Sequence, residues 1–196
     1  IIWLVVHTLY RVRKVDIEKL PTEGPALVVS NHVGFIDPLI VASCVPVPSR
    51  FVMYYKIYQQ PGLRWFFELV KAIPIAGYKE DQHIHEQSFE LIHQALEDGE
   101  VVVIYPEGGI TTDGELQPFR PGVEKILERY PVPVTPMALR GLWGSFFSRY
   151  HGAAMTKPFR RFWSKIEVVI GETLPAEEAT AQRLYDEVLK LRGDHK

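Results

Sequence analysis

One cysteine, Cys44, stands among 196 residues, so no disulfide can close within the chain. A lone cysteine is compatible with a reducing compartment. Net charge is small, at −2. There is no internal repeat and no low-complexity linker. No hydrophobic run is long: the most apolar stretch, Ile1 to Tyr10, has ten residues, whereas a membrane-spanning helix needs about 20. Leading charges and a cleavage site are missing, so the opening is not a cleavable signal. The initiator methionine is missing too; the chain opens Ile1-Ile2-Trp3. We therefore expect a piece of a longer protein, and Ile1–Tyr10, followed by Arg11, Arg13 and Lys14, reads as a membrane-anchoring or core helix.

What charge there is falls unevenly. Lys79 to Glu128 holds twelve acids against three bases, whereas Arg140 to Lys165 holds six bases and no acid. Trp143, Phe146, Phe147, Tyr150, Phe159, Phe162 and Trp163 are interleaved with those bases. Such a stretch suits an anionic membrane surface or nucleic acid, or it is a solvated basic face over buried aromatics. The acidic half and the lack of any nucleic-acid motif argue against nucleic acid.

Strand and helix signals alternate along the chain. Strands are expected over Arg11–Ile17, Ala26–Ser30, Arg50–Tyr55, Lys71–Ile75, Val101–Tyr105, Val134–Leu139 and Lys165–Ile170. Helices are expected from Asp37 to Cys44, Pro61 to Val70, His83 to Glu97, Pro121 to Tyr130 and Pro175 to Leu191. The run Val101–Tyr105 is continuously apolar, as in a buried parallel strand. The alternation predicts one α/β domain over residues 1–196, with a mainly parallel central sheet flanked by helices. Functional groups then belong at the carboxyl ends of the strands.

Two of those ends are polar. Asn31-His32-Val33-Gly34-Phe35-Ile36-Asp37-Pro38 closes one strand and opens a helix. A histidine steered by a carboxylate is a common general base. Five residues on a regular helix lie about 140° apart, so His32 and Asp37 can meet only if the chain bends, and Gly34 permits it. Asp37 before Pro38 would also make a good N-cap. The second end, Pro106-Glu107-Gly108-Gly109, offers backbone amides and a carboxylate able to orient a hydroxyl or a cation. Then comes Pro118-Phe119-Arg120-Pro121-Gly122 at the mouth of a helix, a sound phosphate site. His83 and His85 have no evident third partner, so no metal is expected. Trp65-Phe66-Phe67 reads as core ahead of an acyl groove, and His93 as helix surface or core edge. Ser145 and Ser148 lack a nucleophile elbow.

In this order the pieces resemble the glycerolipid acyltransferase family, of the lysophosphatidate and lysophospholipid acyltransferase type. Its H-x4-D motif matches His32 and Asp37, its P-E-G motif Pro106-Glu107-Gly108, and its F-[KR]-x-G element Phe119-Arg120-Pro121-Gly122. A later proline motif matches Val132-Pro133-Val134-Thr135-Pro136. The second block departs from the family: where an arginine is usual, this chain reads Ile73-Pro74-Ile75-Ala76-Gly77-Tyr78-Lys79, and only Lys79 can stand in. The threonine and arginine that often follow P-E-G are replaced by Gly109-Ile110.

The resemblance implies acyl transfer from acyl-CoA or acyl-carrier protein to the free hydroxyl of a lysoglycerolipid, with no cofactor. His32 would be the base and Asp37 its orienting carboxylate. Asn31, Lys79, Glu107, Gly108, Gly109 and Arg120 would bind substrate, with amides near Gly108-Gly109 facing the developing oxyanion. With phosphate-binding arginines missing, a lysophospholipid acceptor with one phosphodiester charge is expected ahead of lysophosphatidate. The resemblance further implies membrane association at the cytoplasmic face, and a fused upstream membrane or transporter domain. A non-catalytic lipid-binding or membrane-docking module is the reading of another class. An intact His32/Asp37 pair argues against it.

Overall fold

The computed structural model describes residues 2–156 and 161–195. Lys157, Phe159 and Arg160 of the basic and aromatic stretch, and Ile1 of the opening, lie outside the described residues. The strands are β1 (Arg11–Val15), β2 (Ala26–Ser30), β3 (Ser49–Tyr54), β4 (Ile73–Ile75), β5 (Val101–Ile104), β6 (Val134–Arg140) and β7 (Lys165–Ile170). The α-helices are α1 (Ile2–Leu9), α2 (Asp37–Ala42), α3 (Tyr55–Tyr58), α4 (Arg64–Leu69), α5 (Gln82–Glu97), α6 (Gly122–Arg129) and α7 (Ala181–Arg192).

The strands form one seven-stranded sheet in the order β1-β7-β6-β2-β5-β3-β4. Every neighbouring pair is parallel except β6 and β7. The expected mainly parallel α/β architecture is therefore present. β2 and β5 are centrally placed and entirely buried, because both faces of the sheet are covered. Val28, Val101, Val103 and Met137 pack on one face with α1 and α2 residues such as Val6, Ile40 and Val41. Leu27, Val29, Val102 and Ile104 pack on the other with Ile92, Ile126 and Leu184 of α5, α6 and α7. The period of two in a strand makes this division.

Several boundaries move, each for a local reason. β1 stops at Val15 because Asp16 takes a left-handed φ of 55°. β4 starts at Ile73, since Lys71 has a φ of 51°. α5 begins at Gln82, capped by Asp81, whose Oδ1 accepts the Ile84 amide at 3.0 Å. α7 begins only at Ala181, because Thr180 caps it and Pro175 leads into a single 3-10 turn. His93 is buried, not at an edge; desolvation lowers its pKa below the ordinary imidazole value.

The aromatic helix α4 does not join the core. None of its residues is buried, and Trp65 and Leu69 are 65% and 72% exposed. α1 also shows Trp3, Leu4 and Val5 to the outside while Val6 packs inward. No helix among the described residues is long and apolar enough to cross a membrane.

Candidate active site

β2 and β5 are hydrogen-bonded neighbours with Val29 opposite Ile104. Their carboxyl ends therefore bring His32 and Glu107 to one rim. His32 Nδ1 lies 2.9 Å from Asp37 Oδ2. That contact puts the Nδ1 proton toward the carboxylate and leaves Nε2 as the acceptor. The Asp37 side chain is fully buried, whereas that of His32 is 17% exposed. The ring also stacks on Tyr105, centroids 4.3 Å apart and planes at 21°.

The bend that joins the pair has a definite cause. Asp37 Oδ2 also accepts the amides of Val33 at 2.6 Å and Gly34 at 2.9 Å. One carboxylate oxygen thus gathers the whole turn, and charge-assisted bonds of this kind are the stronger class. Asp37 is not the N-cap. Ile36 occupies that position with helical dihedrals and no capping side chain, and the Asp37 carboxylate faces back into the turn. Gly34 serves by its size. A Cβ there would come within 2.9 Å of the Phe147 carbonyl oxygen, and Phe35 N donates to that same oxygen at 3.2 Å.

Glu107 is engaged differently from the substrate-binding role expected of it. Its Oε1 accepts the His32 amide at 2.6 Å and its Oε2 the Gln117 amide at 2.8 Å. Both oxygens therefore hold backbone. Burial pushes its pKa up to about 7, although the two amide bonds pull it down. Asn31 is likewise turned inward. Its Nδ2 donates to the Leu139 carbonyl at 3.0 Å, and its Oδ1 accepts the Leu139 amide at 2.7 Å. Asn31 ties the end of β2 to β6 and has no side-chain group left for a ligand to displace cheaply.

Gly108 has a φ of +73°, and its amide donates to the Tyr105 carbonyl at 3.0 Å. That amide is occupied, so of the two glycines Gly109, exposed in the same turn, is the better oxyanion donor. The Arg120 guanidinium lies directly over Gly108, where a built Cβ would approach Cζ to 2.5 Å. The Arg120 amide also donates to Pro106 O at 3.0 Å. The phosphate-type arginine and the P-E-G turn are thus one unit beside His32. Lys79 is exposed in the turn after β4. β4 is two strands from β5, whose following turn carries Arg120 over Gly108, so at about 4.8 Å per strand the two strand ends stand roughly 10 Å apart.

Other groups fall outside this cluster. His85 Nδ1 is tied to Ala76 O at 2.9 Å, and no group of three or more metal-ligating residues occurs among the described residues. A cleft near β3 and β4, about 420 Å³, is lined by Arg50, Arg64, Glu68 and Lys71 among others. It sits at the amino ends of those strands, and Arg64 is paired with Glu68 at 2.7 Å. It is not the His32 rim. In the basic stretch, Arg140 is drawn inward to Glu167 at 3.3 Å. Met155, Phe162 and Trp163 stay exposed, and the Trp163 amide bonds the Leu9 carbonyl at 2.7 Å, which joins them to α1.

Sequence reasoning missed Tyr105 as the platform under the imidazole. Its position next to Pro106-Glu107 was the available signal. The Phe147 contact and the Leu139 anchor carried none, since both come from far along the chain.

A family model described as Acyltransferase matches residues 11–140. A chloroplastic 1-acyl-sn-glycerol-3-phosphate acyltransferase, BAT2 of Brassica napus, is 28% identical over 137 residues, 69% of this chain and 39% of that protein. The putative 1-acyl-sn-glycerol-3-phosphate acyltransferase acl-2 of Caenorhabditis elegans is 28% identical over 176 residues, 86% of this chain and 55% of its own length. This chain thus spans about two fifths to a little over half of these relatives. The crystal structure of the 1-acyl-sn-glycerophosphate acyltransferase PlsC from Thermotoga maritima superposes with a TM-score of 0.71 at 17% identity, covering 93% of this chain and 69% of that one. That likeness is one of fold.

Proposed function

This chain belongs to the acyltransferase family, and we propose that it moves a fatty acyl group from a thioester to the free hydroxyl of lysophosphatidate. The observation that carries the reading is the His32–Asp37 pair, 2.9 Å apart, with the His32 amide bonded to the P-E-G turn that carries Arg120 over Gly108. The relatives named above all bear lysophosphatidate-acylating titles, which supports this acceptor over the phosphodiester lysophospholipid favoured by the missing arginines. A single arginine over the P-E-G turn, with Lys79 following a strand two places along the sheet, is the observation that keeps the phosphodiester acceptor as the second reading.

The steps follow from the donors and acceptors present. Asp37 Oδ2 holds the Nδ1 proton, so Nε2 accepts the proton of the acceptor hydroxyl as oxygen attacks the thioester carbonyl. The new C–O bond forms, and the oxyanion meets the Gly109 amide. The C–S bond then breaks, and the leaving thiolate takes the proton back from Nε2. No covalent enzyme intermediate is needed. The donor is acyl-CoA or acyl-carrier protein.

An acceptor panel tests the assignment. With free thiol as readout, lysophosphatidate should be consumed faster than lysophosphatidylethanolamine or lysophosphatidylglycerol. Arg120→Ala should raise the lysophosphatidate KM about tenfold or more, since one charged hydrogen bond contributes roughly 1.5–3 kcal/mol. A preference for the phosphodiester acceptors would move the reading to lysophospholipid acylation. An unchanged KM would remove Arg120 from the phosphate site.

The same proposal includes a membrane-associated enzyme at the cytoplasmic face. Its supporting surface is Trp3, Leu4, Val5, Met155, Phe162 and Trp163, all exposed, with Arg149 nearby in sequence and also exposed. Binding to vesicles containing anionic lipid should fall as salt rises, because screening shortens from about 10 Å at 0.1 M to about 3 Å at 1 M. Trp3→Ala/Trp163→Ala should weaken the salt-resistant remainder. Sedimentation that ignores lipid charge, salt and both tryptophans would reject this surface.

A further inference from the structure

The contacts that fix His32 continue past Glu107 into the last helix. Both backbone groups of His32 are held by one loop. Its carbonyl accepts the Thr111 amide at 3.0 Å, and its amide bonds Glu107, which in turn holds Gln117. Within the loop, Thr111 Oγ1 donates to the Glu115 carbonyl at 2.9 Å and accepts the Gly114 amide at 3.1 Å. Arg192, at the end of α7, closes the loop from outside. It donates through NH1 to the Gly114 carbonyl at 2.8 Å and through NH2 to Glu115 Oε2 at 2.9 Å.

Arg192 is only 7% exposed, and its Nε is buried with no protein partner. It lines a cavity of about 10 Å³ whose other walls include Asn31, His32, Glu107 and Thr111. That is room for about one water. A guanidinium is taken from water only where it is well bonded, and both side-chain hydrogen bonds of this one go to a loop that touches His32. Leu184 of α7 packs in a separate cluster against the sheet, whereas Val188 packs with Leu116 of the loop itself. Arg192 also lies outside the stretch 11–140 that carries the family match.

We propose that Arg192 is a positioning residue for His32, acting through the 111–117 loop and Glu107, with one buried water completing the bond set of its Nε. The proposal rests on the acyl-transfer reading above. Its reach is about two hydrogen bonds, and a displacement of about 1 Å at a reacting group can lower rate on the order of 10²-fold.

The test compares Arg192→Met, Arg192→Lys and Leu184→Val in thioester consumption and in amide hydrogen exchange. Arg192→Met should lower kcat about 10- to 100-fold with the acceptor KM within about twofold, and Arg192→Lys should recover part of the loss. Exchange of the His32 and Gln117 amides should quicken in Arg192→Met. Leu184→Val, which loosens the same helix in a cluster that holds no residue of the 111–117 loop, should leave kcat and those two amides near wild type. Should Arg192→Met fail to fold, Glu115→Gln takes its place and should quicken Gln117 exchange. Unchanged exchange and kcat, or an equal loss in Leu184→Val, would overturn the positioning role. A wild-type protein that consumes no thioester would sink the acyl-transfer reading instead, and the exchange data would still decide the positioning claim.

Discussion

Replacing His32 by alanine should reduce thioester consumption to near background while the protein stays folded. A positioned general base supplies about 10²–10⁴-fold, and no neighbouring group on this rim can substitute for it. Asp37 is fully buried behind the ring, and both Glu107 oxygens hold amides. The fold should tolerate the change because Asp37 keeps the Val33 and Gly34 amides. Its charge is not left without donors, so the large penalty for orphaning a buried carboxylate does not arise. The loss is one imidazole bond and the stack on Tyr105, of order 1–2 kcal/mol. Turnover by thiol release and thermal unfolding are the two measurements. Near-normal turnover in a folded His32→Ala protein would withdraw the base assignment.

The second large effect belongs to Asp37, where two substitutions separate chemistry from architecture. Asp37→Asn can still present one oxygen to the Val33 and Gly34 amides. Its new NH2 then falls where Asp37 Oδ1 now lies, buried and without a partner. That costs about 1–3 kcal/mol, and the negative charge that steadies the protonated imidazole is gone. Turnover should fall on the order of 10²–10⁴-fold with a modest drop in Tm. Asp37→Ala removes the acceptor altogether and strands two buried amides. At about 1–3 kcal/mol each, that change should cost about twice as much stability as Asp37→Asn. Two variants equally stable, or an Asp37→Asn enzyme of wild-type rate, would mean that the carboxylate neither builds the turn nor serves the base.

The sheet was readable because its signal is local. β2 and β5 are apolar runs bounded by turn residues, and adjacent strands in such a fold deliver His32 and Glu107 to one edge. Asp37 was half readable. Its side chain in a helix-opening position satisfies the same rule as a cap, and only the helical dihedrals of Ile36 reveal that the helix has already begun. The aromatic run at Trp65 was misread as core, because composition does not say whether anything lies against a helix. His93 was misread the other way. Glu107 and Asn31 were found as site residues, but their partners were not. The Asn31 bond to Leu139 spans 108 positions and the Arg192 bond to Gly114 spans 78; no window along the chain contains both ends.

The guanidinium lying over Gly108 has an evolutionary consequence. Any side chain at position 108 would strike Arg120 at 2.5 Å and would also have to accept a φ of +73°. The two positions are therefore physically coupled. A descendant that changed glycine first would push the guanidinium aside at once, whereas one that lost the arginine first would gain room at 108 but still face the backbone constraint. Drift is thus closed from one side and only half open from the other.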